Sequence, residues 1–471
     1  SDMTDVFQLL EEFSGNTCIV TDAGREMSYA QLLEVSGKIA QQLKTGSMAF
    51  CFCGNQVGSV AGYLSFLHAH VPVLLLDANK NKDLVDDLLA IYHPRFVWIP
   101  SEKAEGLDGA KCIYEAEDYS LLQYEVPDIE THPELALMLT TSGSTGSPKL
   151  VRLTLNNLLS NARSIVEYLE IDQSERPITS LPMYYSYGLS VINSHLISGA
   201  TLLMTNNTIL QREFWKFAAE QGASSISGVP YTYEMLRRLR FFHMNLPKLK
   251  TMTQAGGKLH PEFVKEFVEQ AKEHDKRFIV MYGQTEATAR MSYTPQENIR
   301  EKYMSIGIAI PGGRFSLIDV SGNEITEPET EGELVYRGPN VSLGYAECLD
   351  DLKKGDENQG ELHTGDVAKF DTDGYFYITG RLKRFVKVWG NRCNLDSVEQ
   401  MVKTITSNCA CVGVDDKITI FVAEEVDDKV IINMFGEKTG LNTRAFEVRH
   451  IDVIPKNASG KVQYKELQAL L

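Results

Sequence analysis

Over the first 135 residues, short runs of consecutive apolar residues alternate with segments whose apolar residues have the spacing of a helix. Runs of consecutive apolar residues at 49–53 and 73–76 predict buried strands, whereas the spacing over 29–43, 57–69 and 82–92 predicts helices. Strands that alternate with helices in this way are typical of a parallel sheet covered by helices on both faces. The pattern therefore predicts an α/β fold.

The same alternation resumes in the second third of the chain. A helix is predicted over 151–168, and strands are predicted over 200–204, 224–228 and 277–281. Residues 307–339 change to short alternating runs separated by turn residues, which favours a small β-rich region. We therefore expect parallel sheets covered by helices, followed by a small β region.

A run rich in Gly, Ser and Thr, TTSGSTGSPKL at 140–150, lies between a predicted strand and the helix predicted from 151. Glycines let successive backbone N–H groups point into one concavity, and the hydroxyls and Lys149 add donors and positive charge. This composition predicts a polyphosphate site. The run matches neither G-x-x-x-x-G-K-[ST], the common nucleotide-binding loop, nor G-x-S-x-G, the nucleophile elbow. Considered alone, the run is also compatible with a flexible Ser/Gly linker.

The charge of the chain is unevenly distributed. From Lys383 to the end there are 13 Lys and Arg against 12 Asp and Glu, a net charge of +1, so the preceding residues carry −18 and the whole chain −17. Such an acidic chain is not expected to bind nucleic acid, because phosphate backbones require a basic surface. The contrast predicts two domains, 3–382 and 383–471. Ser1 and Asp2, which precede Met3, resemble a cloning remnant.

The eight cysteines show neither a C-x-x-C pair nor a zinc-like spacing with histidine. We expect buried free thiols and therefore a reducing, cytoplasmic location. The longest apolar region, 48–76, is interrupted by Gly54, Asn55, Gln56 and Pro72, so no membrane span is predicted.

Five segments carry a resemblance to a known family. They are TTSGSTGSPK at 140–149, YGQTE at 282–286, GELVYRGPNVSLGY at 332–345, HTGDVAKFDTDGYFYITGR at 363–381 and PKNASGK at 455–461. In this order the set resembles the adenylate-forming superfamily, which comprises acyl- and aryl-CoA synthetases, peptide-synthetase adenylation domains and firefly-type luciferases. The resemblance implies a large N-terminal domain and a small, mobile α+β C-terminal domain that turns about Lys383.

The resemblance also implies a reaction. A carboxylic acid and ATP would give an acyl-adenylate and pyrophosphate, and the acyl group would then pass to a thiol. We expect CoA as the acceptor, which makes the chain an acyl-CoA synthetase. The alternative is a stand-alone adenylation enzyme that loads a carrier-protein phosphopantetheine; a non-catalytic protein that binds ATP or acyl-adenylate is less expected.

The matched positions imply the nucleotide site. Tyr282 would stack on adenine, beside Gly283, and Thr285 would contact the α-phosphate. Asp366 and Arg381 would bind the ribose. Glu286 would help to bind Mg²⁺, a hard cation that prefers carboxylate and phosphate oxygens. The residues implied to hold the β- and γ-phosphates are Thr140, Thr141, Ser142, Gly143, Ser144, Thr145, Gly146 and Lys149, and Gly256 and Gly257 would leave room for the base and the acyl group.

The C-terminal domain would contribute lysines to catalysis. Lys461 would reach the site during adenylation, and Lys387 is a second candidate. After rotation about Lys383, the face around Gly390 would serve thioester formation. The final domain departs from the family pattern, because the segment before the last loop is reduced to 441–448.

The acyl pocket departs from the family pattern at two positions. Tyr185 stands where histidine is frequent, so no titrating imidazole is expected there. Ser186 stands where enzymes that activate α-amino acids place an acidic residue, so such substrates are disfavoured. The expected pocket residues are Tyr185, Ser186, Tyr187, Ser190 and Val229, together with Gly256, Gly257, Gly283 and Ala287.

Overall fold

The computed structural model describes residues 5–141, 149–439, 441–457 and 460–471. The helices within these ranges are α1 (Val6–Glu11), α2 (Tyr29–Ala40), α3 (Val57–Ala69), α4 (Lys82–Tyr92), α5 (Leu155–Leu169), α6 (Ser186–Leu196), α7 (Arg212–Glu220), α8 (Pro230–Arg238), α9 (Pro261–Glu273), α10 (Leu395–Val402), α11 (Asp428–Thr439) and α12 (Tyr464–Gln468). The strands are β1 (Thr17–Thr21), β2 (Glu26–Ser28), β3 (Ala49–Cys53), β4 (Val73–Asp77), β5 (Phe96–Pro100), β6 (Lys111–Ala116), β7 (Tyr119–Gln123), β8 (Leu135–Thr140), β9 (Leu150–Thr154), β10 (Leu202–Met204), β11 (Ser225–Gly228), β12 (Thr251–Gln254), β13 (Arg277–Tyr282), β14 (Ser292–Tyr293), β15 (Ile308–Ala309), β16 (Arg314–Ile318), β17 (Gly332–Arg337), β18 (Gly344–Ala346), β19 (Glu361–Phe370), β20 (Phe376–Arg381), β21 (Phe385–Val388), β22 (Asn391–Asn394), β23 (Cys409–Val414), β24 (Lys417–Val422) and β25 (Phe446–His450).

The largest sheet has eight strands in the order β18-β9-β8-β4-β3-β5-β7-β6. Its centre is parallel, as predicted, with β3 between β4 and β5 and with β8 beyond β4. Its two ends are antiparallel, so the sheet is mixed. Helix α3 is buried from Val57 to Leu67, which fits its nearly continuous apolar sequence. Ser28 and Gln31 form a capping box at the start of α2.

The second sheet positions the site. Its order is β11-β12-β13-β14-β15, and β11, β12 and β13 run parallel. Apolar residues of α7, α8 and α9 pack on it, including Phe214, Tyr233 and Phe267. In a parallel sheet the carboxyl ends of the strands lie at one edge, where ligands bind. The segment after β12 carries Gly256 and Gly257, and β13 ends at Tyr282.

The prediction of a helix over 151–168 is wrong at its start. Leu150–Thr154 is strand β9, every residue of which is buried, and it pairs antiparallel with β8. Helix α5 begins at Leu155, where Thr154 caps it by accepting a hydrogen bond from the N–H of Asn157 at 2.9 Å. The apolar residues of this short segment fit the spacing of a helix as well as that of a strand, and its pairing with β8 makes it a strand. The Gly/Ser/Thr run therefore connects two antiparallel strands.

The last part of the chain forms a smaller α+β unit. Strands β23, β24 and β25 form one sheet, and β21 and β22 form a hairpin. Its core contains residues of β23, β24 and α11, such as Cys411, Ile420 and Phe435. The preceding four-stranded antiparallel sheet, β16-β17-β19-β20, begins in the predicted small β region, 307–339, and extends beyond it to Arg381. A large N-terminal domain and a smaller C-terminal domain are thus confirmed.

The cysteines are free thiols. Six of them are buried, as expected, whereas Cys112 and Cys348 are exposed. Among the helices that the structure describes, none is long and apolar enough to cross a membrane. The cytoplasmic location stays a prediction.

Candidate active site

A cleft of about 1890 Å³ lies between the body of the protein and the C-terminal domain. The body contributes the segments that follow β12 and β13 and the first half of β19. The C-terminal domain contributes residues from Lys383 onward, including Lys461. Sequence-predicted site residues from both domains therefore line one cavity.

The predicted adenine and ribose residues lie together. The register of β19 and β20 places Asp366 directly opposite Arg381. The phenol of Tyr282, at the end of β13, donates a hydrogen bond to Asp366 Oδ2, and Gln284 Nε2 donates to the same oxygen at 3.3 Å. Burial raises the pKa of Asp366, while the bond from Tyr282 and the charge of Arg381 oppose that rise. Asp366 therefore presents a carboxylate beside the ring of Tyr282; the predicted roles are that the carboxylate accepts from ribose hydroxyls and that the ring stacks on adenine.

Thr285 and Glu286 lie in a short 3₁₀ turn after β13, Thr285–Ala287. The Thr285 hydroxyl lies 3.0 Å from that of Ser186, at the start of α6. Burial raises the pKa of Glu286, and the charges of Lys461 and Lys149 act against this rise. The carboxylate thus lies within electrostatic range of two lysines, one from the body and one from the C-terminal domain.

Lys461 is held by residues that precede it in the chain. The N–H of Lys461 donates to Asn457 Oδ1 at 2.9 Å, and Lys456 pairs with Val462. Burial lowers the pKa of Lys461, as does the charge of Arg381, whereas Glu286 and Asp366 raise it. The C-terminal domain therefore lies in the orientation that brings Lys461 to the carboxylates of the body.

The predicted acyl pocket converges on Gly256. This glycine has a φ of +82°, and a Cβ atom there would lie 2.6 Å from Tyr185 Oη and 2.9 Å from Val229 Cγ1. Tyr187 is buried, and its hydroxyl lies 2.7 Å from that of Thr253 on β12. Gly257 faces Pro230, and a Cβ atom at this glycine would lie 3.1 Å from the Cγ atom of the proline. Tyr185, Val229 and Gly256 therefore form one narrow wall.

Two predicted pocket residues, Ser190 and Ala287, serve packing instead, and a third, Gly283, borders the cleft. The Ser190 hydroxyl donates to the carbonyl of Tyr187 at 2.6 Å within α6, so it faces its own helix. Ala287 is fully buried in a separate apolar cluster with Met291 and Tyr336. Gly283 borders the cleft, but a Cβ atom there would lie only 1.6 Å from the carbonyl oxygen of Ala289, so its backbone approach requires glycine.

The phosphate loop is only partly described. Ser142, Gly143, Ser144, Thr145 and Gly146 lie outside the described residues. Thr140 ends β8 and Thr141 follows it. Lys149 lies just before β9, and its Nζ is 3.9 Å from the centre of the Tyr345 ring.

The model of one protein family, described as AMP-binding enzyme, matches residues 7–346. The chain belongs to the AMP-binding enzyme family. The match covers most of the chain and includes the segments that carry Lys149, Gly256, Tyr282 and Glu286. It confirms the predicted adenylate-forming superfamily and the predicted class of enzyme, an AMP-forming ligase of acids and thiols.

Relatives within this family are named as CoA ligases. The oxalate–CoA ligase of Arabidopsis thaliana is 29% identical over 378 residues, which are 75% of this chain and 71% of that protein. The sulfoacetate–CoA ligase of Cupriavidus necator is 28% identical over 349 residues, 70% of this chain and 66% of that one. The ATP-bound structure of MatB from Rhodopseudomonas palustris superimposes with a TM-score of 0.81 at 22% identity and 98% coverage of both chains. The likeness to the MatB structure shows the fold of this chain.

Magnesium, which the family implies, fits the donors that this AMP-binding enzyme presents. Within the described residues no group of three or more His, Cys, Asp or Glu side chains is placed so that it could hold a metal ion, so a cage made by protein ligands alone is not found there. Glu286 offers a carboxylate inside the cleft, and the charge of Lys149 acts on it. Mg²⁺ commonly takes one or two carboxylates together with substrate phosphates. Glu286 would therefore hold the ion, which would neutralise phosphate charge.

Two of the sequence-predicted residues of this AMP-binding enzyme lie apart from the cleft wall or at its margin. Lys387 is exposed on β21, where its N–H donates to Asp415 Oδ1 at 2.9 Å, and it does not line the cleft. Lys383 borders the cleft and is exposed. In this orientation Lys387 therefore does not join Lys461.

Sequence reasoning missed three residues of the site. Tyr345, the last residue of a quoted motif, contacts Lys149. Arg384, the neighbour of the predicted hinge, is buried and lies over the ring of Tyr464 at 3.8 Å. Arg290 lines the cleft although it is only 2% exposed. A charged residue eight positions after Tyr282, next to a buried strand, was the available signal for Arg290.

Proposed function

We propose that this chain activates a carboxylic acid with ATP and transfers the acyl group from the adenylate to CoA. The observation that carries this proposal is the position of Lys461, which lies in one cleft with Glu286 and Asp366 and is electrostatically coupled to both. The CoA ligases among its relatives support CoA as the acceptor.

The proposed chemistry assigns a role to each side of the cleft. Tyr282, Asp366 and Arg381 bind the nucleoside, and Thr285 contacts the α-phosphate. The carboxylate of the acid attacks the α-phosphorus, and pyrophosphate leaves. Negative charge then grows on the phosphate oxygens, where the ammonium group of Lys461 stabilises it. The remaining phosphates are bound by Lys149 and the residues of the 140–146 run.

We also propose that the domain boundary and hinge lie at Lys383. Arg381 lies at the end of β20, opposite Asp366 on β19 of the body. Arg384 is fixed in the C-terminal domain, because its Nε donates to Asp396 at 2.9 Å and its Nη1 donates to the carbonyl of Cys411 at 2.6 Å. Between these anchored residues, rotation at exposed Lys383 would turn Lys461 away and bring the hairpin around Gly390 to the adenylate.

The acceptor is tested by offering two thiols to the same enzyme. After incubation with ATP, Mg²⁺ and a panel of acids, acyl-CoA is measured by mass spectrometry, and an acyl-loaded phosphopantetheinyl carrier is measured in a parallel reaction. We expect acyl-CoA. Loading of the carrier without acyl-CoA would contradict the proposal and favour a stand-alone adenylation enzyme.

A further inference from the structure

Arg290 places a cation inside the acid-binding side of the cleft. Its side chain lines the cavity with Tyr185, Ser186 and Tyr187, yet the residue is only 2% exposed. It follows strand β13 by eight positions and precedes β14. No step of the proposed reaction uses this guanidinium.

The contacts of the guanidinium are mostly aromatic. It lies 4.4 Å from the centre of the Tyr187 ring, and Nη1 donates to Tyr168 Oη at 3.1 Å and lies 2.8 Å from Met281 Sδ. Nε is buried and has no hydrogen-bond partner among the residues that the structure describes. Over the same described ranges, no Asp or Glu forms an ion pair with Arg290. The cation is thus surrounded by neutral groups, and its Nε–H remains available as a hydrogen-bond donor.

An unpaired buried guanidinium is costly, because burial removes water from a full charge. The scarcity of anions around it is not a property of the whole body, which carries a large excess of Asp and Glu. Elsewhere the protein pairs its buried arginines: Arg152 reaches Glu357 at 2.7 Å, and Arg384 reaches Asp396 at 2.9 Å. At Arg290 the missing partner is therefore expected to be a ligand.

The backbone around Arg290 is held in place to present it. Thr288 adopts a φ of +73°, which is rare for a β-branched residue, and its hydroxyl donates to the carbonyl of Asn340 at 2.7 Å. The N–H of Arg290 donates to Asn161 Oδ1 at 3.1 Å, and its carbonyl accepts from Asn161 and Asn340. These bonds fix the turn that directs the side chain inward.

The guanidinium is also close to the reacting end of the pocket. Tyr187, whose ring it contacts, adjoins Ser186, and the Ser186 hydroxyl lies 3.0 Å from that of Thr285. Burial raises the pKa of Tyr185, which borders Gly256, and the charge of Arg290 acts against that rise. A ligand group at Arg290 would therefore belong to the acid rather than to the nucleotide.

We propose that Arg290 binds a second anionic group of the acid, so that the substrate is a carboxylic acid with an additional carboxylate or sulfonate. This inference rests on the proposed function. An anionic oxygen supplies the acceptor that buried Nε lacks, and a guanidinium matches the planar geometry of a carboxylate. The same cation opposes the ammonium group of α-amino acids.

The test compares acids of equal chain length. Acid-dependent exchange of pyrophosphate into ATP is measured with succinate against butyrate, glutarate against pentanoate, and 3-sulfopropionate against both sets. For the wild type we expect kcat/KM to be roughly ten- to hundredfold higher for an acid with two anionic groups, as for a hydrogen bond to a charged group. The carboxylate and sulfonate arms identify which anion is preferred.

The variants separate recognition from packing. Arg290→Met should abolish the preference for the second anion while monocarboxylates keep or improve their kcat/KM, and Arg290→Lys should retain part of it. Arg314→Met, at an exposed position on β16, should leave the preference unchanged. A purely structural Arg290 predicts lower thermal stability with unaltered selectivity, which would overturn the proposal.

Two further outcomes are kept distinct. If the wild type shows equal kcat/KM for butyrate and succinate, the proposal about Arg290 fails while the proposed function stands, whatever the variants do. If no acid supports exchange, the proposed function fails, and calorimetric titration of the wild type with succinate in the presence of a non-hydrolysable ATP analogue still tests Arg290. Binding of succinate but not butyrate would support the site, and equal binding would overturn it.

Discussion

Gly460 of the C-terminal domain lies against Val229 of the body. A Cβ atom at Gly460, where φ is +81°, would be 3.6 Å from Val229 Cγ2 and 3.3 Å from Tyr231 Cβ. Because Val229 also borders Gly256, the loop that carries Lys461 closes on the same wall that forms the acyl pocket. In this orientation the C-terminal domain therefore contributes to the surroundings of the predicted acyl pocket.

Replacing Glu286 by Gln should weaken the use of Mg²⁺. The amide keeps the shape of the side chain but lacks the charge that a hard cation prefers. We expect the Mg²⁺ concentration for half-maximal pyrophosphate exchange to rise roughly tenfold or more, and excess EDTA should abolish exchange in the wild type. Glu437→Gln, on the exposed side of α11, is the matched control. An unchanged Mg²⁺ requirement in Glu286→Gln would remove this residue from the metal site.

Gly256→Ala should impair the acid more than the nucleotide. The new Cβ would collide with Tyr185 Oη and Val229 Cγ1 at a positive φ, and overpacking of this kind costs roughly 1–3 kcal/mol. We expect the KM for the acid to rise about tenfold, with a smaller change for ATP. Gly24→Ala has a similar φ of +86° but open space around it, so it controls for backbone strain. Equal changes in both KM values would argue against this pocket.

The adenylation rate should fall at high pH because Lys461 must be protonated. Burial and the nearby Arg381 lower its pKa below the ordinary lysine value of 10.5, so the loss begins at a lower pH than for an exposed lysine. As pH rises through this lowered pKa, kcat/KM for ATP should decline in the wild type and in Lys438→Ala. In Lys461→Ala the decline should be absent and the rate low throughout. An identical alkaline limb in that variant would assign the titration elsewhere.

Lys383→Pro should separate the two half-reactions. Lys383 lies in the 3₁₀ turn Leu382–Arg384, and the φ of about −50 to −70° that is typical of such turns is close to the φ of proline. The ring restricts φ, so adenylate formation should largely survive while acyl transfer from the adenylate to the thiol drops by about tenfold or more. Lys383→Ala, which leaves φ free, should perform both steps. Parallel losses in the two steps of the proline variant would contradict a hinge here.

Much of the fold was predictable because apolar periodicity survives in the three-dimensional structure. Helix α3 and strand β3 end where the sequence pattern ends. The start of α5 was misjudged, since a short buried segment such as 150–154 satisfies both periods and its pairing with β8 is a tertiary fact. At the site, the family resemblance pointed to Asp366 and Arg381, which the structure places opposite each other, but it could not reveal that Ser190 faces its own helix or that Arg290 turns inward. Those orientations depend on Thr288 and on distant asparagines.

The most direct test of the central claim measures both half-reactions in Lys461→Ala. During adenylation, charge develops on the phosphates beside Lys461, so the variant should form acyl-adenylate on the order of 10²–10³ times more slowly, roughly 3–4 kcal/mol. The interaction between the Lys461 ammonium group and the phosphates is strongest in the transition state, so kcat should fall more than KM rises. Transfer from supplied acyl-adenylate to CoA should change by less than about fivefold, the scale of an exposed ionic contact. Small and equal effects on the two steps would contradict the account.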